Sequence, residues 1–207
     1  LARPTALKLI REDKVTNVDG DEARRVLQRF EREAKATAAL RSPHTIDVYD
    51  FGVTADGTFF YAMEYLEGLD LETLVERFGP VPAERAIHLL LQACDSLADA
   101  HDAGLTHRDI KPANLFLSRL GTSDDYIKLL DFGLVQIEQS VDASERLTVE
   151  GTTSGTPAYM APEMAMQRDD VDGRSDIYAL GAVAYWLLTG KYVFEADGGV
   201  AMIVEHV

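Results

Sequence analysis

The 207 residues, 46 % hydrophobic and 27 % charged, suffice for one large domain or two small lobes; the formal net charge of −15 argues against a grip on DNA or RNA, which needs a basic face. The acidic balance is compatible with basic peptide partners, but an acidic surface more often serves plain solubility. The lone Cys94 excludes an internal disulfide and fits a reducing compartment, and the longest apolar run, Tyr178–Gly190, is shorter than the about 20 residues a membrane-spanning helix needs.

Ala6–Ile10 (ALKLI) reads as a strand whose alternation puts Ala6, Lys8 and Ile10 on one face. A lysine there either snorkels to water or meets an anion. A loop at Val15–Gly20 leads into a helix over Asp21–Leu40, with Ala23, Val26, Leu27, Phe30, Ala34 and Thr37 at helical spacing. Glu33 lies at the edge of that stripe, where it either reaches inward or pairs on the surface with Arg29. Thr45–Phe51 and Thr58–Tyr65 read as strands around an Ala55-Asp56-Gly57 turn. Glu64–Gly68 is the candidate linker to a helical region, and a short helix is expected at Leu69–Arg77.

Pro82–Ala103 is the clearest helix, with Ile87, Leu90, Leu91, Cys94, Leu97, Ala98 and His101 on one stripe, Pro82 in the first turn and Gly104 past the end. On that stripe Cys94 is expected to be a buried structural thiol and His101 a satisfied core histidine. His107–Asn114 (HRDIKPAN) packs a carboxylate, two cations and an amide around Pro112; proline disfavours helix there, so the segment is a loop whose polar groups converge. Leu115–Leu117 and Tyr126–Leu130 read as a strand pair joined by a polar Ser118–Asp125 loop. The hairpin would bring Asp109, Asn114 and Asp131 toward one point, an oxygen-rich arrangement suited to magnesium and phosphate. Neither a His/Cys set for zinc nor a Gly-x-Ser-x-Gly nucleophile pattern is present. Val141–Ser154 is polar and expected to be mobile, Gly155-Thr156-Pro157 starts a turn, and Ser175–Thr189, closed by Gly190, should be a buried central helix.

In this order, Ala6-Leu7-Lys8, Glu33, HRDIKPAN, Asp131-Phe132-Gly133, Gly155-Thr156-Pro157 and Ala161-Pro162-Glu163 resemble the eukaryotic-type serine/threonine protein kinases, with a texture similar to the bacterial branch. The resemblance implies an α+β, two-lobed fold, truncated at both ends. Residues 1–66 would form a partial β-rich lobe with one helix, and residues 67–207 a partial, mainly helical lobe. It implies ATP and Mg2+ as cofactors and a protein Ser/Thr hydroxyl as acceptor. Asp109 would orient the acceptor hydroxyl and Lys111 would stabilise the moving phosphoryl group. Asn114 and Asp131 would hold magnesium. Lys8, fixed by Glu33, would bind the phosphates. Backbone at Glu64 and Leu66, behind Met63, would meet the adenine edge, between Ala6 and Phe116. Arg108 would meet a phosphorylated residue of the 131–163 segment, which contains Thr148, Thr152, Thr153 and Ser154, with Thr148 as main switch and Thr152 as a further regulatory threonine. Lys111 together with Thr156 ahead of Ala-Pro-Glu resembles the serine/threonine type, and Thr156 is grouped with the regulatory positions.

No glycine-rich segment precedes Lys8, and the arginine that usually pairs with Glu163 is not present, so the chain is expected to be a weakly active fragment of a longer protein. A cytoplasmic site fits, with any membrane anchor lying outside these residues. Self-association for autophosphorylation is compatible with the reading, whereas nucleic-acid binding and membrane contact by this segment are not. The alternatives are a nucleotide-binding pseudokinase that acts by docking, and a small-molecule phosphotransferase.

Overall fold

A computed structural model describes residues 3–10, 28, 31–54, 58–121, 123–132, 157–168 and 170–207. The described residues build two three-stranded antiparallel sheets and a set of helices. The expected combination of sheets and helices, an α+β architecture, is therefore present among the described residues. The loop at Val15–Gly20, the turn at Ala55-Asp56-Gly57 and the segment Val141–Ser154 lie outside the described residues.

In the first sheet β1 (Thr5–Ile10) and β2 (Val48–Val53) flank β3 (Phe59–Glu64). Lys8 pairs in register with Tyr61. The alternation in β1 is as read: Leu7 and Leu9 are exposed, while Ala6 and Lys8 are half-buried. Helix α1, described over residues 31–38, turns Glu33, Ala34 and Thr37 inward, so Glu33 reaches in rather than lying on the surface.

The second sheet departs from the expected boundaries. β4 (Gly68–Asp70) precedes α2 (Leu71–Phe78), where a helix alone was expected over Leu69–Arg77. Asp70 explains the split, because its carboxylate caps α2 by accepting from the Thr73 N–H at 2.7 Å. β5 (Leu115–Leu120) and β6 (Ser123–Leu129) are longer than predicted and absorb most of the expected Ser118–Asp125 loop. Pairing extends past the apolar core because Arg85 of the neighbouring helix makes a two-pronged pair with Asp125, at 2.9 and 2.7 Å.

Helix α3 (Ala83–Asp102) starts after Pro82, and Gly104 follows it at a φ of 75°. Its buried face is not the predicted stripe. Ala86, Leu89, Gln92, Ala93, Ser96, Leu97 and Ala100 face inward, while Ile87 and Leu91 are exposed, at 58 % and 61 %. The inward face is rich in small residues, which lets α3 approach α5 (Gly173–Thr189) and β6 closely. Cys94 consequently sits on the exposed side, not as a buried structural thiol.

Between α3 and α5 in sequence comes the short helix α4 (Pro162–Ala165). Gly190 closes α5 in the left-handed region, and α6 (Gly199–Glu205), which the sequence reading did not anticipate, follows. One face of α5 is buried through Ala179, Leu180, Val183 and Leu187, but Ile177, Tyr185 and Leu188 are exposed, so the helix is central on one side only. Among the described residues no helix is long and apolar enough to cross a membrane.

The two sheets meet through residues 44–46. Leu129 donates to the His44 carbonyl at 2.7 Å and accepts from the Ile46 N–H at 3.0 Å. This strand-like seam fixes β6, which leads to Asp131, against the first sheet.

Gly68 joins the sheets' connecting chain to β5. A Cβ there would lie 2.0 Å from the Leu117 carbonyl oxygen, at a φ of 154°. Gly68→Ala is expected to lower stability by about 1–3 kcal/mol, read as a lower urea midpoint at unchanged slope.

Candidate active site

The polar centre is organised from below by Asp176 on α5, which is 1 % exposed. Its carboxylate accepts the backbone N–H groups of His107 and Arg108, each at 2.8 Å, and pairs with His101 Nε2, also at 2.8 Å. Holding two successive N–H groups on one carboxylate accompanies a left-handed turn at Arg108, with a φ of 67°. For a side chain of that size the conformation costs free energy and persists only where surroundings dictate it. His101 is thus partnered as expected, but to a functional carboxylate and at a half-exposed position.

His107 is fully buried and couples this loop to the next. Its Nδ1 accepts the Asp109 N–H at 3.2 Å, which leaves the ring proton on Nε2, donated to the Leu130 carbonyl at 2.7 Å. The Leu130 N–H in turn donates to the Asn114 carbonyl at 2.9 Å. Leu130 is therefore clamped at both backbone groups by the 107–114 loop, and the His107 ring packs on Phe132 at 4.6 Å. Asp131 sits between these fixed neighbours, itself left-handed at a φ of 61°.

Two donors converge on the Asp109 carboxylate. Lys111 Nζ approaches Oδ2 at 2.8 Å and Asn114 Nδ2 at 2.9 Å, while the same amide nitrogen also reaches the Asp109 carbonyl at 2.7 Å. Asn114 is buried on a short 3-10 turn that Pro112 opens. With its nitrogen committed to Asp109, the amide has its oxygen to offer a cation.

Across the cleft, Lys8 Nζ donates to Asp131 Oδ2 at 2.5 Å. The ammonium from the first sheet and the carboxylate that follows the second thus meet at one point. Glu33 is buried behind them, 8 % exposed. Burial, then the negative charges of Glu33 and Asp131, push the Tyr61 phenol well above its ordinary range, so Tyr61 stays un-ionised. Tyr61, Thr37, Ile46, Val48, Met63, Asp131 and Phe132 line a small cavity there.

The expected adenine contacts are distributed as follows. Met63 is half-buried beside the cavity, and Ala6, Leu66 and Phe116 are half-buried on β1, the linker and β5. The Glu64 N–H is already donated to the Asp47 carbonyl at 3.0 Å, which turns the Glu64 contribution to its carbonyl. Arg108 Nε is buried without a partner among the described residues. Thr148, Thr152 and Thr156 lie outside the described residues, as does Gly133. Glu163 is not stranded: it is half-exposed, and Ser175 Oγ donates to Oε1 at 2.5 Å.

Sequence reasoning missed Asp176. The available signal was one acidic residue inside an otherwise apolar helix, since aspartate is almost never fully buried unless paired. It also missed Tyr61 and Lys128, whose polar ends are buried at the junction of the sheets.

Residues 2–206 match the family model described as the protein kinase domain. The chain is 42 % identical over 182 residues to the serine/threonine-protein kinase pkn3 of Myxococcus xanthus, an alignment covering 88 % of this chain and 33 % of that protein. It is 37 % identical over 210 residues to the serine/threonine-protein kinase PknB of Mycobacterium leprae, covering all of this chain and 32 % of that protein. The crystal structure of a point-mutant kinase domain of Mycobacterium tuberculosis PknI superposes with a TM-score of 0.68 at 32 % identity, over 92 % of this chain and 65 % of that one. The chain belongs to the protein kinase domain family, and its curated relatives are serine/threonine kinases of the bacterial type. It spans about a third of the length of those relatives.

Removing the carboxylate in Asp176→Ala strands the His107 and Arg108 N–H groups. The expected cost is about 1–3 kcal/mol for each buried donor, read from urea unfolding.

Proposed function

We propose that the protein transfers the γ-phosphoryl group of ATP to a serine or threonine hydroxyl of a protein. The observation that carries this is the double hold on Asp109 by Lys111 and Asn114, in a loop whose other contacts fix Leu130 and so aim Asp131 at Lys8.

Asp109 is the base. Its carboxylate takes up or orients the proton of the incoming hydroxyl, and general bases of this kind contribute about 10²–10⁴ in rate. Lys111, already beside Asp109, stabilises negative charge on the phosphoryl group as it moves. Asn114 and Asp131 offer one amide oxygen and one carboxylate. That hard-oxygen set suits magnesium, which takes few protein ligands and relies on substrate phosphates for the rest. When bound, ATP would supply the transferable phosphoryl group and depart as ADP, and magnesium would neutralise the charge that develops. Lys8, supported by Glu33, would hold the α- and β-phosphates of a bound nucleotide. The carbonyl of Glu64 and the backbone of Leu66 meet the adenine edge beside Met63, with Ala6 and Phe116 on its faces.

Residues 1–66 act as the nucleotide-covering lobe and 67–207 as the lobe that carries catalytic loop and acceptor. The acceptor is a protein, in bacterial signalling, and a cytoplasmic setting suits the chemistry. Arg108, with its buried Nε unpartnered among the described residues, is the receiver for a phosphorylated threonine, foremost Thr148, with Thr152 and Thr156 as further regulatory positions.

The decisive assay supplies radiolabelled ATP and a generic basic protein to wild type and to Asp109→Asn. Transfer by wild type and a fall of about 10²-fold or more in the variant are expected. Nucleotide binding without transfer by wild type would instead support a docking pseudokinase. Mass spectrometry of the autophosphorylated protein is expected to find phosphate on Thr148, and its absence there would remove Thr148 as the switch.

A further inference from the structure

Lys128 is a buried cation on β6, 8 % exposed, with no role in the chemistry above. Its Nζ lies 2.6 Å from Glu64 Oε1 and donates to the Thr45 carbonyl at 3.0 Å. The same Glu64 oxygen accepts the Asp47 N–H at 2.9 Å, while the Glu64 N–H goes back to the Asp47 carbonyl. Three pieces of chain therefore converge on one ion pair: the linker after β3, the 44–47 segment, and the strand that leads to Asp131. In the β5–β6 register Lys128 also stands opposite Phe116, the proposed floor of the adenine site.

The arrangement is specific. Lysine is rarely this buried unless paired, and a surface lysine would have done for strand pairing alone. The partner is the side chain of the residue whose backbone is to meet adenine. Two residues past the end of that strand, three on from Lys128, lies Asp131, the carboxylate that pairs with Lys8. The ion pair thus ties the adenine end of the site to its phosphate end across the seam between the sheets.

We propose that Glu64 and Lys128 form a lobe clamp that positions the adenine-binding backbone relative to Asp131, so that the two ends of a bound nucleotide find their partners already in register. The proposal rests on the phosphoryl-transfer reading above. Both are positioning residues; neither side chain touches the reacting atoms. With the pair intact, little ordering remains for the nucleotide to impose on binding. With it broken, the backbone bonds of residues 44–47 remain to join linker to β6, and binding has to supply more of that order.

The test compares wild type, Lys128→Met, the near-isosteric Glu64→Gln, and the swap Glu64→Lys with Lys128→Glu. ATP KM, kcat toward a basic protein, and hydrogen exchange of the 64–67 amides are measured well below each variant's Tm. Both single variants are expected to raise ATP KM by about five- to tenfold and to speed exchange at the linker, and Lys128→Met is expected to leave kcat within about twofold. The swap is expected to recover most of the affinity. Folded variants with wild-type KM would overturn the clamp and leave a merely structural pair, visible as a lower Tm alone. A rise in kcat would overturn it as well, since the pair would then restrain turnover. Should Lys128→Met fail to fold, Glu64→Gln and the swap still decide. Wild type that neither binds nor turns over ATP would defeat the phosphoryl-transfer reading itself, an outcome distinct from all of these.

Discussion

The constraint on which the site depends is the buried carboxylate of Asp176. A single charged group under a loop is costly unless its lone pairs are filled, and here two backbone donors and an imidazole fill them. In return the loop loses its freedom. Arg108 is held in a conformation that a free chain would rarely visit, and the direction of the chain through His107 and Asp109 follows from it. The side chains of the 107–114 loop are thus aimed by backbone contacts made a helix away as well as by the contacts of Lys111 and Asn114 with Asp109.

From that anchor the order spreads through backbone groups more than through side-chain pairs. His107 and Asn114 take up both polar groups of Leu130, so the position of Asp131 is a consequence of the 107–114 loop. Residues 44–46 then stitch the same strand to the first sheet, which brings Lys8 into reach of Asp131. An ammonium on one sheet and a carboxylate after the other make a pair only if both routes are intact. Such a site is preorganised for charge that arrives with the substrate, which is where electrostatic stabilisation is most effective.

The 107–114 loop was readable because its information is local: Pro112, the charges around it and their spacing sit in one short segment. Strand alternation in β1 was readable for the same reason. The buried face of α3 was not, because Ala86, Ala93, Ser96 and Ala100 are buried for the closeness they permit, whereas Ile87 and Leu91 are the more hydrophobic residues and remain outside. Cys94 followed that error to the wrong side. Three-residue β4 carries no periodicity to detect, and the extra length of β5 and β6 depends on Arg85 meeting Asp125 from another helix. Lys8 and Glu33 were each ambiguous alone, since a half-buried strand lysine and a helix-edge glutamate have ordinary surface roles. Asp176 and Lys128 were invisible for a stronger reason: their partners lie far off in sequence, and pattern alone cannot pair them.

The central claim is that Asp109 and Asp131, organised by one scaffold, divide the work: Asp131 serves the metal-bound nucleotide and Asp109 the acceptor. Calorimetric titration with ATP, with and without magnesium, of wild type, Asp131→Asn and Asp109→Asn tests that division directly. The account predicts magnesium-dependent binding that weakens by about tenfold or more, about 1.4 kcal/mol, in Asp131→Asn and persists in Asp109→Asn. Equal binding by Asp131→Asn and wild type, or loss of binding in Asp109→Asn, would contradict it.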